Sequence, residues 1–190
     1  MSQSGRIPSR DEAWNLLCEW TESPSLRGHA LAVEAAMRFY ARKYGEPEEA
    51  WGIIGLLHDF DYEKYPTAED HPFKGAEELR RRGYDEWLVR AILSHADYVN
   101  TERQSLAEKT LYAVDELTGL VVATALVMPT KKLAEVTAES VRKKMKSKGF
   151  ARKVNRDDIV KGAEELGVDL DGHIANVVTA LQLAAPALRL

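Results

Sequence analysis

Apolar residues recur at three- and four-residue intervals through nearly the whole chain, the spacing that gathers them on one face of an α-helix. No segment sustains the two-residue alternation of a half-buried strand, and no internal repeat is visible. The pattern therefore predicts an all-α fold. Ser25 is placed to cap a helix that turns Leu31, Ala35 and Phe39 toward the core and closes near Gly45. Pro47 suits the first turn of the next helix, whose apolar stripe Trp51, Ile54 and Leu57 runs up to His58. Asp70 and Pro72 open a further helix that Gly83 stops, and Asp85 opens another with Leu88, Ile92 and His95 on one face. Ser105-Leu106-Ala107-Glu108 has the form of a capping box, and the helix it starts sets Leu111 and Asp115 one turn apart. The run Leu117 to Met128 is apolar enough for a buried helix, although periodicity alone also allows a buried strand, and Pro129 ends it. Three more helices are expected over about 131–146, 156–166 and 170–185, punctuated by Gly149, Gly167 and the caps Asn155 and Asp169.

Composition narrows the class. A chain of 190 residues with 45% hydrophobic content suits one domain over residues 1–190, large enough to bury a core without staples. The start lacks the apolar stretch of a signal peptide and no apolar run is long enough to cross a bilayer, so a cytoplasmic protein without membrane contact is expected. The single cysteine, Cys18, excludes an internal disulfide and any Cys-rich metal site, and reads as a core residue. The net charge of −4 argues against general nucleic-acid binding. Lys131 to Arg156 is locally basic and reads first as a solvated helical face; if part of it turns inward, Lys148 and Arg152 beside Gly149 are the candidates to hold a phosphate. His173, after Asp169-Leu170-Asp171-Gly172, reads as a surface residue at a helix start.

Candidate chemistry changes the picture more. Four of the five histidines and two aspartates fall in the order His29, His58-Asp59, His71, His95, Asp115. Neutral imidazole and carboxylate are the donors that hold borderline divalent metals, and in an adjacent His-Asp pair the carboxylate can bridge two ions while the histidine binds one. Each of these residues joins an otherwise core-facing surface, where an unpartnered histidine or aspartate would be costly. Neighbouring side chains on a regular helix diverge by about 100°, so the helix is expected to loosen at the doublet and let both groups reach one cluster.

His29, His58-Asp59 and Asp115 resemble the signature of the HD-domain superfamily of metal-dependent phosphohydrolases. His71-Pro72-Phe73-Lys74-Gly75-Ala76 and Ile92-Leu93-Ser94-His95 are similar to the added ligand segments of its dinuclear branch. The likeness covers about residues 25–128, with residues 129–190 as a helical extension. It implies an HD-type helical bundle with the metal site in its core. The implied cofactor is a pair of divalent transition ions (Mn, Fe, Co, Ni or Zn) held by His29, His58, Asp59, His71, His95 and Asp115. The implied activity is hydrolysis of a small phosphate ester or nucleotide through a metal-bound water. Beside Asp59, acid assistance falls to Asp61, Glu63 or Lys74, and Lys64, Lys148 and Arg152 are candidate substrate contacts. Two departures matter. The doublet is followed by Phe60-Asp61-Tyr62 where signalling phosphodiesterases carry Ile-Gly-Lys, and His95 is followed by Ala96 where they carry a second histidine, so cyclic dinucleotide hydrolysis is not expected. The same ligand order also resembles the mixed-valence di-iron oxygenases of the superfamily, which stand as the alternative, and a non-catalytic metal-binding regulatory module is the third reading.

Overall fold

The computed structural model describes residues 5–147 and 149–190. Among the described residues the chain forms ten α-helices and no strand. They are α1 (Arg10–Trp20), α2 (Pro24–Tyr44), α3 (Glu48–Leu57), α4 (Phe73–Arg81), α5 (Glu86–Leu93), α6 (Leu106–Leu126), α7 (Ala138–Met145), α8 (Arg156–Leu166), α9 (Leu170–Leu183) and α10 (Ala185–Leu188). A single β-type bridge joins Arg6 and Tyr84. None of the helices is long and apolar enough to cross a membrane.

Local chemistry accounts for most of the boundaries. Asp85 accepts the Trp87 amide and opens α5, Ser105 and Glu108 form a reciprocal box at the start of α6, and Asn155 and Asp169 cap α8 and α9. The first helix of the metal region starts earlier than its serine pattern suggests. Ser23, not Ser25, accepts the Leu26 amide, because Pro24 takes the first helical position, where its missing N–H costs nothing. Asp70 does not cap α4; it sits in a turn against Thr67, and Pro72 precedes the helix without a side-chain cap. The apolar run from Leu117 is helical and continuous with the segment before it, so α6 spans 21 residues. The basic segment begins with a short 3₁₀ turn, Leu133–Glu135, and α7 starts only at Ala138, where Thr137 and Ser140 cap each other's backbone.

The long helices α2 and α6 form the frame. α3 lies along α2, and α6 packs on α2, α5, α7, α8 and α9. Leu111, Val114, Leu117, Leu120 and Val121 of α6 are fully buried, each contributing roughly 1.5–3 kcal/mol in area removed from water. Gly162 lets α8 come close at the level of the metal region: a β-carbon there would meet Ala113 Cα at 2.6 Å. His173 overturns its sequence reading. It is fully buried, taking the Tyr40 hydroxyl on Nδ1 at 2.6 Å and donating from Nε2 to the Ala113 carbonyl at 2.8 Å. It thus pins α9 to α2 and α6, and burial holds its pKa below the ordinary value. The three-to-four spacing of Ile174, Val177 and Leu181 extends back to it, a signal that its position faces inward.

Candidate metal centre

Three helices and two turns converge on one cluster. His29 comes from the second turn of α2, Asp115 from the middle of α6, and His58 from the position that caps the end of α3. The helix stops at Leu57, and residues 58–64 form turns. That loosening turns His58 and Asp59 to the same side. His71 stands in the turn before α4, and His95 just past α5.

The six side chains form two triads, His29 with His58 and Asp115, and Asp59 with His71 and His95. His29 Nε2 lies 2.9 Å from Asp115 Oδ1, and His58 Nε2 lies 3.4 Å from the same oxygen. Asp59 joins the triads through its two oxygens: Oδ2 is 3.4 Å from His58 Nε2, and Oδ1 is 3.2 Å from both His71 Nε2 and His95 Nε2.

The outer ring nitrogens fix the tautomers. His58 Nδ1 donates to the Gly55 carbonyl at 2.8 Å, His95 Nδ1 to the Ile92 carbonyl at 2.5 Å, and His71 Nδ1 to Asp61 Oδ1 at 2.7 Å. As neutral rings all three histidines would therefore present an unprotonated Nε2 to the centre, the arrangement of metal-ligating imidazoles. His58 Nε2 is buried and has no hydrogen-bond partner. A buried polar nitrogen costs free energy unless something meets it, and a cation between it and the Asp59 and Asp115 oxygens is what this donor set fits. Without a cation the carboxylates draw protons onto His58 and His71. Burial opposes charge on His58, yet Asp59 and Asp115 raise its pKa well above the usual range. Burial likewise opposes charge on His71, and hydrogen bonds to Asp59 and Asp61 bring it to about 9. The converse holds for Asp59 and Asp115, lowered by the histidines against the upward pull of burial.

The centre opens on a cleft of about 580 Å³. Beyond the ligands its walls are Tyr62 and Tyr98 beside His71, Tyr112 with Asp97 and Asp158, and Glu116 with Asn155. Burial, then the neighbouring Asp115, pushes Glu116 up to about 7. Among the described lining residues there is no lysine or arginine.

The remaining sequence candidates are placed elsewhere. Asp61 is not open to the cleft: it is buried, with one oxygen on His71 and the other accepting the Gly75 amide at 2.7 Å. Gly75 is required there, since a β-carbon would meet the Asp61 carboxylate at 2.9 Å. Asp61 orients a ligand and is not available as an acid. Glu63 caps the start of α2 through the Glu22 and Ser23 amides, Lys64 lies over the Trp20 ring, and Lys74 pairs with Glu77 on an exposed face. Arg152 lines a separate surface groove with Lys146 and Lys153. Lys148 lies outside the described residues. Tyr62 follows the doublet in a loop expected to border the site, and it lines the cleft. Sequence reasoning missed Tyr98, Tyr112, Glu116 and Asp158; of these only Glu116, next to a ligand, carried a local signal.

The structure is an all-helical scaffold that sets two linked His/Asp triads, each able to hold a metal ion, at a cleft. The family model of the HD domain matches residues 26–120, half of the chain and all six of these side chains. The chain belongs to the HD domain family, whose members are mostly metal-dependent hydrolases. No curated protein and no solved structure matches it.

Proposed function

We infer that this chain is a metal-dependent phosphohydrolase acting on a small phosphate ester at the cleft floor. The observation that carries the reading is Asp59, whose two oxygens face opposite triads and so make one centre of them. His29, His58, Asp115 and Asp59 Oδ2 would hold one divalent ion, and Asp59 Oδ1, His71 and His95 a second. When bound, such a pair supplies Lewis-acid polarisation of a phosphoryl group and brings the pKa of water toward neutrality. The chain's own groups keep that chemistry in register. Gly55, Ile92 and Asp61 hold the three Nδ1 protons, so the Nε2 lone pairs stay directed inward. Tyr98 donates to the His71 carbonyl at 3.1 Å and ties the second triad to the cleft wall. Because both triads open onto the cleft, they favour a reacting centre over a closed structural site.

A specific observation keeps the di-iron oxygenase as the second reading. The described cleft lining offers no lysine or arginine, the groups that usually hold a phosphate. The test is phosphate release from a panel of phosphomonoesters by protein loaded with Mn²⁺, Co²⁺ or Ni²⁺, against Asp59→Ala. Metal-stimulated release lost in the variant is the expected result. No release with any of these ions, together with oxygen uptake by the iron-loaded protein, would overturn it in favour of oxygenation.

A further inference from the structure

Beyond the triads the cleft wall carries three acidic groups, and among the described residues only Asp97 is paired with a lysine or arginine. Asp97 is matched by Lys161 at 2.6 Å and Arg103 at 2.9 Å. Asp158 and Glu116 also line the cleft, and among the described residues neither pairs with a cation. Asp158 receives the Tyr112 hydroxyl at 3.0 Å, and Glu116 receives the Asn155 amide at 3.1 Å. These are neutral donors, so both carboxyl groups keep an oxygen for a ligand. Burial and then Asp97 push the Asp158 carboxyl above its ordinary value, the mark of a charge short of compensation.

The rim beside His71 is aromatic. Tyr62 and Tyr98 are 41% and 49% exposed beside His71, with the Tyr62 ring 5.2 Å from the imidazole. Exposed phenol faces and carboxylates lining one cleft are groups that hold an organic ammonium ion. The cleft is marked as a ligand site independently of these acidic residues by the two His/Asp triads, five of whose side chains, His29, Asp59, His71, His95 and Asp115, line it.

We propose that the cleft selects a phosphate ester whose other end is a cationic amine, the phosphate facing the two triads and the ammonium group lodged between Asp158, Glu116 and the rim tyrosines. This deepens the phosphohydrolase reading and rests on it. A phosphate dianion of about −2 charge matches the surplus of two divalent ions over the Asp59 and Asp115 carboxylates. Among the described residues neither Asp158 nor Glu116 forms an ion pair, and the ligand's ammonium group would supply one. A polyphosphate would instead bring its further negative charges against them.

The test compares O-phosphoethanolamine with glycerol 3-phosphate, esters of similar size that differ in an ammonium group. Both are titrated by calorimetry into Mn²⁺-loaded protein, and turnover of each is measured in parallel. The expected result is at least about tenfold tighter binding of the aminated ester, a gap of one power of ten in affinity. The gap should shrink to within about threefold in Asp158→Asn and separately in Glu116→Gln, each shown folded by its thermal melt. Equal or weaker binding of the aminated ester, or a preference untouched in both variants, would overturn the proposal. Because binding is read apart from turnover, a protein that prefers the ammonium ester without hydrolysing it would sink the hydrolase reading and leave the charge selection standing.

Discussion

The two triads are built differently. His29 and Asp115 stand on the two 21-residue helices α2 and α6, which pack against each other, with His58 at the end of α3 beside them. Asp59 and His71 stand in turns and His95 just past a short helix, so the two imidazoles are positioned by donating to Asp61 and the Ile92 carbonyl, and His71 also by the Tyr98 hydroxyl on its carbonyl. The first triad is held by packing and the second by a polar shell. Packing of long helices is broad and redundant, whereas a single displaced hydrogen bond reorients an imidazole. The second position should therefore be the weaker and more easily emptied of the two.

The largest effect is expected where the triads meet. Asp59→Ala removes an oxygen from each, so metal content should fall at both positions. Phosphate release should drop by more than the roughly 100-fold limit of an outer-sphere change; metal analysis and steady-state kinetics check this. Asp61→Asn separates the halves. Asparagine can accept from His71 or from Gly75 but cannot serve both as the carboxylate does, so affinity at the second position should fall about 10–100-fold. The first position should hold its ion as before in a Mn²⁺ titration.

Proton linkage gives a third contrast. In the metal-free protein His71 titrates near 9 against an ordinary value of 6.5. Its folded-state pKa is raised, so the stability it contributes is complete below about pH 6.5 and lost as the pH rises through 9. The metal-free melting temperature should fall across that window. Metal affinity should rise across it, because the ions need the unprotonated rings. A melting temperature flat from pH 6.5 to 9 would show that the Asp59–His71–Asp61 chain does not hold the proton. The smallest effect is expected far from the ions: Tyr40→Phe leaves His173 Nδ1 without its donor and should cost about 1–3 kcal/mol of stability. Its metal stoichiometry should match the wild type.

Legibility followed the same division. The residue types and order of His29, His58, Asp59, His71, His95 and Asp115 can be read along the chain because a ligand set is a property of composition and sequence. The caps at Asp85, Ser105, Asn155 and Asp169 can be read because capping is local. What neighbours Asp61, Glu63, Lys64 and Lys74 could not be read, since residues 58–64 leave helical geometry and their directions are set by Gly75, Trp20 and the start of α2. Asp61 is the clearest example. Its sequence position beside the doublet suggests an acid, yet tertiary packing gives both of its oxygens to other groups. His173 was misread because its partners, Tyr40 and Ala113, are distant in sequence. The cleft walls Tyr62, Tyr98, Tyr112 and Asp158 come from four separate segments, and no one-dimensional spacing joins them.

The central claim is that Asp59 joins two metal positions of unequal strength. It is tested most directly by Mn²⁺ bound per chain at saturation, measured by equilibrium dialysis on the wild type beside His71→Ala. The account predicts two ions, one tighter than the other, for the wild type and one for the variant. One ion per chain in both proteins would contradict it.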